Sequence, residues 1–208
     1  MGLLKVARMG HPVLVAKAAE VSPEDLAGDR IQRLIDDMID TMRDERGVGL
    51  AAPQVHESLR LFVMDPGPTE EGDGEGGAAN RPAVDPDSGL RVLVDPVLTP
   101  RGGDRLQLWE GCLSIPGIRG LTERHAAVEV RYLDRNGREQ HEVFEDFPAA
   151  VVQHENDHLD GLFFFSRMPD LTRIAFDDEL ARHGSLDEDE GELPDAGSPA
   201  AGENSPAG

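Results

Sequence analysis

Between residues 31 and 42 the apolar side chains Ile31, Leu34, Ile35, Met38, Ile39 and Met42 recur at i, i+3, i+4, i+7, i+8 and i+11. That spacing gathers them on one side of a 3.6-residue helix, so the segment is predicted to be an amphipathic helix whose methionines pack in a core. Ser22-Pro23-Glu24-Asp25 has the marks of a helix start: a hydroxyl to cap free amides, then a proline where no amide is needed. Gly28-Asp29 delays the regular helix, and Gly47 and Gly49 are expected to end it. Farther on, Leu59–Met64 and Leu90–Val94 are short apolar runs bounded by proline and glycine, the pattern of buried strands. Val128, Val130 and Tyr132 alternate with Glu129 and Arg131, as in a half-buried strand, and Asn136-Gly137 supplies a tight turn toward Val143 and Phe144. Pro148 is read as opening a second helix that runs through Ala149–Val152 to His154 and His158 and stops near Gly161. Strands clustered mid-chain, with helices before and after, predict an α+β fold of mostly antiparallel strands.

Composition narrows the function classes. The 208 residues carry 41 acidic and 20 basic side chains, a net charge of -21, which argues against a nucleic-acid binder that needs cations for phosphates. No apolar run approaches the ~20 residues that span a bilayer, and Met1–Leu14 lacks the features of a secretory signal. The single cysteine, Cys112, excludes an intrachain disulfide framework. A cytoplasmic monomer is the expectation. The charge is uneven: residues 184–208 hold seven acids and no base, and residues 66–89 hold six acids and one arginine. Both segments are poor in apolar side chains and are predicted to be a disordered tail and a flexible insertion, leaving one domain over residues 1–183.

The chemistry is concentrated in His154-Glu155-Asn156-Asp157-His158. Positions four apart differ by only about 40° around a helix, so both imidazoles project from one face and can grip one metal ion, with Glu155 beside it to handle a proton of water. Catalytic centres of this kind use three protein ligands, and two candidates complete the set: the Cys112 thiolate in Glu110-Gly111-Cys112-Leu113-Ser114, or the carboxylate of Glu179, 21 residues after His158. The Glu179 choice would make the protein a zinc protease. Gly47-Val48-Gly49-Leu50-Ala51-Ala52 fits the letters of a dinucleotide fingerprint, but a helix rather than a strand precedes it, and Pro53 would interrupt the helix that a pyrophosphate needs. These glycines are read instead as letting a ligand approach the backbone, with the Gln54 amide aimed at the same place. His11, His56, His125, His141 and His183 lack ligand spacing and are read as surface groups, Trp109 as core or pocket wall, and Asp157 and Asp160 as candidate acceptors behind the metal histidines.

Three motifs, Gly47-Val48-Gly49-Leu50-Ala51-Ala52-Pro53-Gln54, Glu110-Gly111-Cys112-Leu113-Ser114 and Gln153-His154-Glu155-Asn156-Asp157-His158, resemble in order and spacing the signatures of the peptide deformylases, over roughly residues 3–170. The resemblance implies antiparallel strands packed around a central helix carrying the two histidines. It implies that Cys112, His154 and His158 bind the metal, with Fe(II) the usual ion and zinc, nickel or cobalt as substitutes. It further implies hydrolysis of the N-formyl group from formyl-methionyl nascent peptides, releasing formate, with transient ribosome association. In that reaction Glu155 carries the protons, and the Leu113 backbone amide and the Gln54 side chain stabilise the oxyanion. Val48, Val151 and the segment around Gly111 match pocket positions, Arg119 matches an arginine that holds the peptide, and Gly47, Gly49 and the Ile115 region would pair with it as an added strand. The chain departs from the family at Asp146 (commonly Gly), Ala150 (often Arg), Val15 (frequently Arg) and Asp95 (frequently Asn). The first two motivate a third reading, a deformylase-like protein that binds formylated peptides without turnover.

Overall fold

The computed structural model describes residues 2–67 and 89–183; the predicted tail and all but the ends of the predicted insertion lie outside the described residues. Ser22 caps a short helix, α1 (Pro23–Ala27), its Oγ accepting the Asp25 amide at 3.1 Å. Gly28 then takes an extended conformation and a second helix, α2 (Asp29–Asp44), begins, as the Gly-Asp pair foretold. Helix α2 ends before the glycines expected to stop it. Arg46 turns left-handed, with φ 57°, and the Gly47 amide returns to the Met42 carbonyl at 2.8 Å.

Eight strands follow in chain order: β1 (Gly49–Ala51), β2 (Leu61–Met64), β3 (Arg91–Pro100), β4 (Arg105–Cys112), β5 (Ile115–His125), β6 (Ala127–Leu133), β7 (Glu139–Glu145) and β8 (Ile174–Phe176). They form a five-stranded sheet in the order β1-β2-β3-β6-β7 and a three-stranded sheet in the order β4-β5-β8, with every ladder antiparallel. Between β3 and β6 the register shifts at Asp95, which holds a left-handed φ of 49° and accepts the Val21 amide on its carboxylate. Asparagine and aspartate both tolerate that conformation, so the departure at this position is structurally mild.

Two helices clasp the five-stranded sheet. The α2 stripe of Ile31, Leu34, Ile35, Met38, Ile39 and Met42 packs with Leu50, Leu61, Val63, Val92 and Val94 in one core. A third helix, α3 (Asp146–Leu159), contributes Ala149, Val151, Val152 and Leu159 to a second core with Ala51, Phe62, Met64, Leu93, Val128 and Val130. Alternate residues of β2 thus enter opposite cores, which is why Leu61–Met64 is apolar without a break. Among the described residues no helix is long and apolar enough to cross a membrane.

After α3 the chain must double back beside the amino-terminal segment, and Gly161 permits it. Its φ is +73°, and a Cβ there would lie 2.7 Å from the Val15 carbonyl oxygen, against backbone that has little room to move. Gly161→Ala is expected to destabilise the protein by roughly 1–3 kcal/mol, measured by denaturant unfolding, from left-handed strain and this clash together.

Candidate metal centre

Helix α3 begins two residues before the proline expected to open it. Asp146 stands in the left-handed region with φ 53°, a conformation that suits the glycine common in the family. Pro148 follows in the first turn, where its missing amide costs nothing. Ala150 is buried and Val15 exposed, and neither side chain carries an atom that could ligate a metal.

Four residues apart on α3, His154 and His158 place their ring centroids 5.1 Å apart. The hairpin of β4 and β5 brings Cys112 to them: pairing slips between Gly111 and Cys112, the kind of irregularity that re-aims a side chain. Cys112 Sγ lies 3.2 Å from His158 Nε2, and one ligand atom each from Cys112, His154 and His158 fall within 4.8 Å of one another. No other such group of metal-capable side chains occurs among the described residues. Glu179 is not part of it; it sits on the exposed helix α4 (Asp177–His183), where it pairs with Arg182 and His183.

Gln54 reaches the same cluster, and Glu155 and Leu113 adjoin its ligands in the chain. Glu155 is buried, and its Oε2 has no partner. A Cβ on Gly49 would meet Glu155 Oε1 at 2.3 Å, so only glycine in β1 lets the carboxylate lie against the strand. Gln54, also buried, uses Oε1 to accept the Ala51 amide at 2.8 Å, which turns Nε2 toward Cys112 Sγ at 3.6 Å and Ser114 Oγ at 3.3 Å. Leu113 occupies the turn after Cys112 and packs on the first core, and a Cβ on Gly47 would touch its Cδ1 at 3.0 Å. Val151 is buried and Val48 partly buried in the second core. Arg119 leans over Gly111, whose added Cβ would lie 3.6 Å from its guanidinium carbon, and donates to Asp177 on α4 at 2.7 Å.

The acceptor behind His154 is Glu110, a motif residue to which no role was given from the sequence. Its Oε2 lies 2.7 Å from His154 Nδ1, which leaves Nε2 of that ring for a ligand. Asp157 and Asp160 do not touch either ring: Asp157 binds Arg124 and Arg167, and Asp160 binds Arg60. Arg124 is the largest fully buried side chain among the described residues and joins Glu110, through both Nε and Nη2, to Asp157 at 2.9 Å. The available signal for Glu110 was its place at the head of the Glu110-Gly111-Cys112 motif, two residues before the cysteine; Arg124 had none, since a charge in β5 reads as surface. His125 is likewise half-buried rather than a surface group, with an unpartnered buried Nδ1. Trp109 is half-buried, and its Nε1 is also buried and unpartnered.

Burial would raise the Glu110 pKa, but the hydrogen bonds and charges of Arg124 and His154 overcome it and hold the carboxyl at about 2. A depressed acid stabilises the fold fully above its ordinary pKa near 4.5 and loses that contribution as pH falls toward the folded value. Unfolding midpoints recorded from about pH 6 to about pH 2.5 are expected to fall on the acid side, and to fall less steeply in Glu110→Gln. Burial, opposed by His154 and Arg124, pushes Glu155 up to about 7, where both protonation states are accessible near neutrality. For His154, contacts with Cys112 and Glu110 outweigh burial and raise the pKa, while burial and the neighbouring His154 charge lower that of His158. A sulfur beside two imidazoles, with the Glu110 carboxylate behind one of them, is a donor set that fits a divalent transition metal.

Residues 3–173 match the family model described as polypeptide deformylase. Peptide deformylase 2 of a Nostoc species is 41% identical over 166 residues, 80% of this chain and 86% of that protein. Peptide deformylase 1 of Streptomyces coelicolor is 41% identical over 167 residues, covering 80% and 73%. Among solved structures, the Met-Ala-Ser-bound class I type b peptide deformylase of Acinetobacter baumannii superposes with a TM-score of 0.69 at 36% identity, over 80% of this chain and 99% of that one.

Proposed function

The chain belongs to the polypeptide deformylase family, which removes the N-formyl group from nascent peptides, and on that premise we propose that Cys112, His154 and His158 hold its divalent ion while Glu155 carries the protons. One observation carries this reading: Cys112 and two histidines 42 and 46 residues farther along the chain come within 4.8 Å of one another beside an unpartnered buried carboxylate. The non-catalytic reading is motivated by Asp146 and Ala150; Asp146 is not among the clustered ligands and an alanine side chain cannot be one, so neither departure removes a metal ligand. The same reading makes α3 the central helix around which the family's strands pack, and residues 1–183 the catalytic domain.

Bound there, the ion supplies a Lewis acid that makes water acidic enough to act near neutral pH and draws charge from the formyl oxygen. Glu155 takes a proton from the attacking water. As the new C–O bond forms and the formyl C–N bond breaks, it returns that proton to the departing amine, leaving formate and a free amino terminus. Gln54 Nε2, held by the Ala51 contact on its other end, is aimed where oxyanion charge develops, and the Leu113 amide acts with it. Gly47–Gly49 and the Ile115 region offer backbone for strand-like pairing with the substrate, Val48, Val151 and Gly111 line the methionine slot, and Arg119 steadies the peptide. Because the substrate is a nascent chain, the enzyme works in the cytoplasm in passing contact with ribosomes.

We assign Fe(II) as the native ion, since a thiolate beside two imidazoles suits a soft site, with nickel, cobalt or zinc as substitutes. Anaerobically prepared protein is expected to release formate from formyl-Met-Ala-Ser, the iron form losing activity in air while nickel and cobalt forms keep it. Equal air stability of all metal forms would count against Cys112 ligation. In parallel, Cys112→Ala is expected to lose bound metal and Glu179→Gln to keep it; the reverse pattern would overturn the ligand set.

A further inference from the structure

A second set of contacts reaches the metal centre from behind. The chain turns after α3 into a short 3-10 segment, Phe164–Arg167, and both ends of that segment bear on the same histidine. Phe164 is buried and stacks on the His154 ring, centroid to centroid 6.3 Å and 20° from parallel. At the other end Arg167 clamps Asp157 with two parallel bonds, Nη2 to Oδ1 at 2.6 Å and Nε to Oδ2 at 3.1 Å. Asp157 passes the constraint to Arg124 Nη1 at 2.9 Å, Arg124 to Glu110 at 2.8 Å through Nη2, and Glu110 to His154 Nδ1 at 2.7 Å. Every interior member of that relay is buried; only Arg167, at 43% side-chain exposure, reaches solvent.

We propose that Arg167 is a positioning residue for the metal centre, acting through Asp157, Arg124 and Glu110 to fix the ring orientation of His154. The chemistry favours arginine there. A planar fork can meet both carboxylate oxygens at once and so fixes the rotation of Asp157, whereas an ammonium makes a point contact that leaves it free. The side-chain partners of Asp157 are guanidinium groups, Arg167 on one side and Arg124 on the other, so releasing one lets the carboxylate follow the other. Partners that bond a ligand directly, as Glu110 does here, commonly change metal affinity by about 10- to 100-fold; Arg167 stands three links behind Glu110, and its effect is expected to be about three- to tenfold.

The inference rests on His154 being a metal ligand, and the experiment separates the two. Cobalt-loaded full-length protein is prepared as wild type, Arg167→Met, Arg167→Lys, Asp157→Asn, the Arg167→Met/Asp157→Asn double variant and His154→Ala. Transfer of cobalt to a chelator, the visible thiolate-to-cobalt absorption and the kcat and KM for formyl-Met-Ala-Ser are then compared. Arg167→Met is expected to release cobalt about three- to tenfold faster, to shift the absorption and to lower kcat with KM unchanged. Arg167→Lys should recover part of each, and the double variant should be no worse than Asp157→Asn alone. Wild-type release and spectrum in Arg167→Met would overturn the proposal, even with a lowered melting temperature, as would additive effects in the double variant. Full cobalt retention by His154→Ala would instead overturn the ligand reading itself.

Discussion

Glu155→Gln is expected to lower formate release from formyl-Met-Ala-Ser by about 10²- to 10⁴-fold, the usual worth of a positioned acid–base group, while metal content and fold stay as they are. The amide has the same shape and fits the same slot against Gly49, where a Cβ would collide with Glu155 at 2.3 Å. It cannot accept and return a proton. The carboxyl's placement explains its suitability: burial lifts its pKa to about 7, so it gives up and recovers a proton at little cost near neutral pH. Its Oε2 is spent on no structural bond, which leaves it available for the reaction. Activity within a few fold of wild type, with metal bound, would show that protons travel by another route.

A second large effect is expected at Arg124, which never meets the substrate. Arg124→Met would leave Glu110 and Asp157 as buried carboxylates stripped of their shared counter-charge, and breaking such a buried arrangement from one side costs about 3–5 kcal/mol. Folding stability from denaturant titration should fall by that amount, and formate release should fall with it because Glu110 would no longer be held for His154. The contrast with exposed pairs is part of the expectation: removing the Arg182 bond to Asp178, both more than half exposed, should change stability by less than about 1 kcal/mol. Equal losses at Arg124 and Arg182 would mean that the buried network carries no special weight.

Much of this architecture could be read from residue order. The α2 stripe, the Ser22 cap, the unbroken apolar run of β2 and the Asn136-Gly137 turn are local signals, and local signals survive into the fold because they depend on neighbours a few positions away. Strands β4 and β5 were harder to see. Their faces are half-exposed and carry charges and glycines, so no clean alternation marks them, and what pairs them is a hairpin ending at Cys112. Short β8, Ile174–Phe176, is apolar but only three residues long, too short for a period to show, and exposed α4 has no apolar stripe.

For the site, spacing on one helix was enough to put His154, Glu155 and His158 together, because helical geometry converts a four-residue interval into a shared face. Spacing could not choose between Cys112 and Glu179; family resemblance favoured the cysteine, and the β4–β5 hairpin brings its sulfur to 3.2 Å from His158. Nor could it find the charges behind the histidine. Glu110 and Arg124 look like solvent-facing residues in a half-polar strand, and only the closing of that hairpin onto α3 removes water from them and makes their pairing obligatory. Helical periodicity was written in the chain, whereas the burial of those ions depends on which surfaces meet across long stretches of sequence, a property that packing alone assigns.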